Sequence, residues 1–104
     1  MTDLDALGRG NYMELTTFRK SGEGVSTPVW LASDGGALVV ITTVESGKVK
    51  RIRHTPAVSM RRSYIRGKVK PGVTAVDGVA EIVTDPARQS LYIGMLRKKF
   101  GWQF

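Results

Sequence analysis

Apolar and polar residues alternate over residues 12–20, with Met13, Leu15 and Thr17 on one face. That period of two predicts a strand with one buried side. Ser21-Gly22-Glu23-Gly24 follows as a turn, and residues 25–32 return as a second strand. Pro28 has no N–H for a ladder, so it is expected at a bulge or an edge. Ser33-Asp34-Gly35-Gly36 predicts a hairpin. Residues 37–43 make a third strand, apolar enough to be buried on both faces. Residues 57–66 make a fourth, with Val58, Met60 and Tyr64 mostly alternating. Residues 67–72 form a loop, and residues 73–84 a fifth strand bent at Gly78.

Helical signals occur in three places. Residues 2–7 predict a short helix stopped near Gly8 and Gly10. Residues 47–54 predict a second, with Ser46 as N-cap and Val49 and Ile52 facing the core; Pro56 requires it to end by Thr55. Asp85 caps a third and Pro86 occupies its first position. Its apolar stripe is Leu91, Tyr92, Met95, Leu96 and Phe100, and Gly101 closes it behind Arg97, Lys98 and Lys99. Strands in meander-like order with few helices predict a mainly β chain, a small antiparallel barrel filling residues 1–104 as one domain.

Composition narrows this reading. A chain of 104 residues with 41% hydrophobic content supports one packed domain of modest stability, which dimerisation or a bound cofactor would raise. With no cysteine there is no disulfide, thiolate metal site or cysteine nucleophile, which fits a reducing cytoplasm. The acidic start of the chain carries no signal-peptide pattern, and the longest apolar run, residues 37–41, is far too short to cross a bilayer. A net charge of +7 favours anionic partners: nucleic acid, a phosphorylated cofactor or acidic lipid. A solvated basic face accounts for the same charge equally well.

Of the 16 Lys and Arg residues, nine fall between Lys48 and Lys70 with no Asp or Glu among them: Lys48, Lys50, Arg51, Arg53, Arg61, Arg62, Arg66, Lys68 and Lys70. Around residues 41–56 a strand ending in Thr42 and Thr43 runs through a Ser46-Gly47 turn into a cationic helix. Free N–H groups at a helix start, with Ser46, Lys48, Lys50 and Arg51 beside them, suit a phosphate. Lys48 carries the strongest signal, because a cation in the first turn is otherwise unfavourable. Thr42 and Thr43 are equally well explained as strand formers. For Arg53, Arg66, Lys68 and Lys70 the solvated surface is the better reading. Pro28-Val29-Trp30 is a proline-broken strand whose free backbone groups could meet a planar ligand. Trp30 would flank that ligand or, as is commoner, sit in the core.

His54 is the only histidine, so a zinc site is not supported. The carboxylates show no catalytic spacing, no hydrolytic triad can be assigned, and no Gly-rich dinucleotide or phosphate loop is present. No residue is assigned as catalytic. Any redox chemistry would come from a cofactor that the protein binds and orients.

The residues quoted so far, residues 15–20 and Gly78-Val79-Ala80-Glu81-Ile82-Val83 included, resemble the pyridoxamine-phosphate-oxidase-like flavin split barrels. Within that group the Ser46-Gly47-Lys48-Val49-Lys50-Arg51 block with the upstream Pro28-Val29-Trp30 is most similar to the deazaflavin (F420)-dependent oxidoreductase branch. The resemblance runs from Tyr12 over nearly the whole chain. It implies a six-stranded split β-barrel, normally a homodimer with cofactor sites in grooves between subunits. It further implies that Lys48 contacts the cofactor phosphate and that Thr42 and Thr43 lie near the phosphate and ribityl chain. Thr27, Pro28, Val29 and Trp30 would line the ring, and Lys50 and Arg51 would hold a phosphate or a polyglutamate tail. Two departures stand out: Arg61-Arg62 replaces an Ala-Pro common in relatives, and relatives continue past residues 99–104 into a further strand.

The function expected is hydride transfer between F420 and an unsaturated or quinone-like small-molecule acceptor, in the cytoplasm. The same fold with FMN is the nearest alternative. A basic nucleic-acid-binding barrel and a storage barrel for a tetrapyrrole or lipid are the others.

Overall fold

In chain order the elements are α1 (Asp3–Gly8), β1 (Tyr12–Phe18), β2 (Gly24–Trp30), β3 (Ala32–Asp34), β4 (Ala37–Val39), α2 (Gly47–His54), β5 (Ala57–Arg62), β6 (Val76–Val79) and α3 (Pro86–Phe100). The structure is a computed structural model and describes residues 3–43, 45–63 and 74–101. Tyr64, the loop at 67–72, Arg66, Lys68, Lys70 and the residues after Gly101 lie outside them.

β1 is a central strand of a four-stranded antiparallel sheet ordered β2-β1-β5-β6. Its burial alternates as the sequence pattern requires: Met13, Leu15 and Thr17 point inward, while Tyr12, Glu14, Thr16 and Phe18 are half-buried on the other side. Residues opposite each other in a sheet share a face. Met13 therefore meets Val29 and Leu15 meets Met60, all buried. Ile52 of α2 and Leu7 of α1 join this cluster, so α2 lies against the inner face.

β3 and β4 form a separate two-stranded sheet. Its turn is Gly35-Gly36, at φ 51° and 102°, a twist that matches the strands it joins. Among the described residues, four strands and two make the six of a split barrel, one more than periodicity alone predicts. The expected strand at 25–32 breaks at Leu31, which belongs to neither β2 nor β3. Pro28 pairs opposite Glu14 on β2, an edge strand, in a register without a bulge. Of the two places expected for it, the edge is the one found.

The strand predicted over residues 37–43 needs correcting. Only Ala37–Val39 pair, and Ala37 and Ile41 are exposed, Ile41 by 40%. An apolar run predicts two covered faces only where the strand is central to a large sheet, and among the described residues β4 has one neighbour. Likewise β6 covers Val76–Val79 of the expected 73–84. At Gly78 a Cβ would lie 2.8 Å from Met60 Cε, so the glycine permits close packing of β6 on β5.

The capping residues of α3 are as predicted. Asp85 Oδ2 accepts from Arg88 N at 3.0 Å, Pro86 opens the helix, and Gly101 closes it at φ 66°. Its stripe is shorter than predicted. Leu96 is fully buried with Ala32 and Val39, and Tyr92 and Phe100 pack on them, but Leu91 is 60% exposed. The short β3–β4 hairpin covers only the C-terminal half of a helix about 22 Å long. Lys99 Nζ pins that half by donating to Gly10 O and Leu31 O, both at 2.7 Å. Replacing Asp85 with alanine should cost about 1 kcal/mol, a fall in Tm of roughly 4–8 °C. An unchanged Tm in a thermal melt would mean that α3 contributes little to folding cooperativity.

Candidate functional site

The start of α2 is built by local chemistry. Ser46 sits in extended backbone, and its Oγ accepts from Val49 N at 3.3 Å, closing the first turn. Thr42 Oγ1 donates to the same Oγ at 3.0 Å, and Ser46 N donates to Thr43 O at 3.1 Å. The two threonines thus hold the approach to the helix. First-turn N–H groups at this end lack intrahelical partners and carry partial positive charge.

Two cations join them. Lys48 and Arg51 are three residues apart, hence neighbours on the helix surface, and both are half-buried. A helical side chain leans back toward the N-terminus, and Arg51 does so: a Cβ on Gly47 would lie 2.7 Å from Arg51 Nη1. Arg51 Nε donates to Thr17 Oγ1 at 2.6 Å. Lys50, two residues from Lys48, is exposed on a different side of the helix. Arg19–Glu23, Arg61–Glu14 and Arg88–Glu81 form ion pairs. None of them involves Lys48, Lys50 or Arg51.

The nine-cation span is therefore not one patch. Arg61 lies on β5 across from Glu14 and donates to its Oε1 from Nε at 3.3 Å and Nη2 at 2.9 Å. Glu14 is on the outer face, so this charge is neutralised on the side of the sheet away from α2. Arg53 and His54 are exposed in the last turn of α2, where cations are favoured.

Pro28, Val29 and Trp30 are divided between the two faces. Val29 points into the core and Pro28 is exposed. Trp30 stands on the outer face, stacked on Phe100 at 4.6 Å and edge-on to Tyr12 at 6.0 Å. It pairs opposite Tyr12, five residues along β1 from Thr17, roughly 17 Å at strand rise. Within one chain the structure gathers Thr42, Thr43, Ser46, Lys48 and Arg51 but leaves Trp30 on the far side of the sheet.

Two hydroxyls stand on the inner face: Thr17, which sequence reading did not assign to the site, and Thr27, which it placed on the ring-lining strand. Thr17 is fully buried on the inner face, and Thr27, opposite Leu15 on that face, has a buried Oγ1 without a hydrogen-bond partner. A threonine at the third inward position after Met13 and Leu15 was the available signal for Thr17. A buried hydroxyl is costly unless bonded, so Thr27 Oγ1 is an unusual feature of the inner face. Among the described residues no cluster of His, Cys, Asp or Glu could hold a metal ion. No described helix is long and apolar enough to cross a membrane. An open cleft of about 370 Å³ lies elsewhere, between the end of α1, β3 and α3, lined by Gly8, Ala32, Ser33, Met95, Lys98 and Lys99.

Residues 4–103 match the family described as "Pyridoxamine 5'-phosphate oxidase". None of the curated proteins matches the chain by sequence. Among solved structures, conserved hypothetical protein Rv2991 from Mycobacterium tuberculosis superimposes with a TM-score of 0.77 at 22% identity, over 97% of this chain and 65% of its own. The chain thus spans just under two thirds of that neighbour. A protein described as "F420 Reductase" gives 0.69 at 23% identity, over 96% of this chain and 78% of its own. HutZ, described as the heme storage protein from Vibrio cholerae, gives 0.72 at 13% identity, over 95% of this chain and 74% of its own. At these identities the likeness is one of fold.

Proposed function

Because the chain belongs to the pyridoxamine 5'-phosphate oxidase family, we propose that it is an oxidoreductase holding a phosphorylated flavin-type cofactor at the N-terminus of α2. The cofactor proposed is F420, with FMN as the alternative, and the acceptor is an unsaturated or quinone-like small molecule. One observation carries the reading: Lys48 and Arg51 are half-buried at a capped helix start, with no carboxylate paired to either among the described residues. A phosphate supplies the missing charge and accepts from the free first-turn N–H groups.

The residues present suit such a group. Ser46, Lys48 and Arg51 bind its phosphate. Thr42 and Thr43 fix the path of the chain beside it. Lys50 lies outside this set and is available to a longer anionic tail. When bound, the cofactor supplies the hydride chemistry that no side chain here provides. The protein's own part is to bind, orient and neutralise. Pro28 and Trp30 face away from their own α2, so a ring lined by them and a phosphate held by α2 call for two copies of the chain. A homodimer working in the cytoplasm is part of this proposal.

Titration with F420 and with FMN, read by the distinct absorbance and fluorescence of the two chromophores, tests the proposal. Binding of one at micromolar concentration is expected, and binding of neither overturns it. The fold shared with HutZ motivates a third titration with haem. Haem binding in place of both flavin-type cofactors, with a Soret shift lost in His54→Ala, would replace the oxidoreductase reading by a storage one. Oligonucleotide binding that weakens steeply with salt would point instead to a nucleic-acid surface. The Arg61–Glu14 pair, which removes one cation from the basic span, argues against that outcome.

A further inference from the structure

We propose that Thr17 is a positioning residue for the phosphate: it fixes Arg51 so that the two terminal guanidinium nitrogens stand over the first turn of α2, and Gly47 clears the space they occupy. The inference rests on the cofactor reading above and assigns a role to two residues that the reading itself does not use.

Thr17 is fully buried on a strand face otherwise formed by Met13 and Leu15. A valine of similar shape would fill that space without burying a hydroxyl. What the hydroxyl gains is the 2.6 Å bond from Arg51 Nε. A guanidinium has five N–H donors in a fixed fork. With Nε engaged, the four donors on Nη1 and Nη2 remain. No described residue accepts from them, and the bond to Thr17 fixes the plane in which they lie. That fork matches two oxygens of a phosphate.

Gly47 is the complementary feature. It occupies the first position of α2, where alanine would ordinarily favour the helix. Here an alanine Cβ would stand 2.7 Å from Arg51 Nη1 and 3.6 Å from Nη2. The guanidinium would have to move, and the bond from Nε to a strand residue in the core opposes the movement. Thr17, Arg51 and Gly47 therefore form one device, in which a strand hydroxyl sets the angle and a missing side chain leaves the room. An arginine held in place loses less freedom on binding a phosphate than one ordered by the ligand.

The test compares a phosphorylated ligand with its phosphate-free counterpart: FMN against riboflavin, and F420 against its free deazaflavin chromophore. The FMN-to-riboflavin ratio isolates the phosphate, and the deazaflavin ratio reads the phosphate together with its anionic tail, because a general loosening of the fold lowers both members of a pair together. In the unaltered protein the phosphorylated form should bind more tightly. Thr17→Val should reduce that preference about tenfold, and Thr17→Ser, which keeps the hydroxyl, should hold it within about twofold. Gly47→Ala should also reduce the preference, so the inference remains testable if Thr17→Val folds poorly. A full phosphate preference in Thr17→Val, or in a well-folded Gly47→Ala, overturns the role assigned here and leaves the cofactor reading standing. If the unaltered protein binds neither FMN nor F420, the cofactor reading fails first, and this inference with it.

Discussion

Leu31→Ala should destabilise the chain by about 2–5 kcal/mol, the range for emptying a leucine site in a packed core. Leu31 is fully buried in the cluster with Met13, Leu15, Val29, Val58 and Met60. It is also the residue at which the chain leaves the four-stranded sheet for the hairpin. Its N–H donates to Asn11 O at 3.2 Å and its carbonyl accepts from Lys99 Nζ at 2.7 Å. The side chain therefore fills the core beneath a joint between β1, β3 and α3. A domain this small has about 5–15 kcal/mol in total, so the variant should unfold at a much lower urea concentration, if it folds at all. Leu91→Ala removes the same atoms from a residue 60% exposed and should stay within about 0.5 kcal/mol of the unaltered protein. Equal urea midpoints for the two variants would show that Leu31 does not lie at the centre of the core.

The second large effect concerns binding. Lys48→Ala should weaken the phosphorylated cofactor by about 1.5–3 kcal/mol, the value of a hydrogen bond to a charged group. That is roughly a 10- to 150-fold rise in Kd. Lys48 stands in the first turn of α2 beside Arg51, with no anion paired to it among the described residues. Removing it leaves the N-cap intact, because Ser46 provides the cap, so the helix should persist. Lys50→Ala is the matched control. It deletes the same charge from an exposed position on a different side of the helix, and its effect on FMN, which has no anionic tail to reach it, should be no more than about threefold at 0.15 M salt, where exposed charges are screened beyond about 8 Å. A Lys48→Ala protein that binds FMN and F420 unchanged would remove that lysine from the site. Similar losses for Lys48→Ala and Lys50→Ala would indicate a diffuse basic surface rather than a built cradle.

The parts legible in the sequence were those fixed by near neighbours. Ser46 and Asp85 announced their helices because a cap is a bond between residues three apart. The Gly35-Gly36 turn and the inward set Met13, Leu15 and Thr17 follow equally local rules. The corrections fall where the answer lies across the fold. Residues 37–43 are apolar enough for a central strand, yet only Ala37–Val39 pair, in a two-stranded hairpin that leaves the run half uncovered. Leu91 continues the helical stripe of α3, but the surface beneath the helix ends before reaching it. Hydrophobicity specifies what can be buried; the size of the neighbouring element decides what is.

The site divides in the same way. Lys48, Ser46 and the threonines before them came from a strand, turn and helix contiguous in the chain. Thr17 could not have been joined to Arg51 by any pattern, since 34 residues separate them and the contact exists only because α2 folds onto the inner face of β1. Nor could the separation of Trp30 from that cradle be foreseen, because strand pairing, not sequence distance, sets which side of a sheet a residue serves. By itself the sequence determined the family, the helix ends and a cationic helix start, since each depends on short-range bonding or a contiguous run of residues. Only the tertiary structure decided which cations keep an unpaired charge and which hydroxyl holds Arg51, because those outcomes depend on backbone packing between segments far apart in the chain.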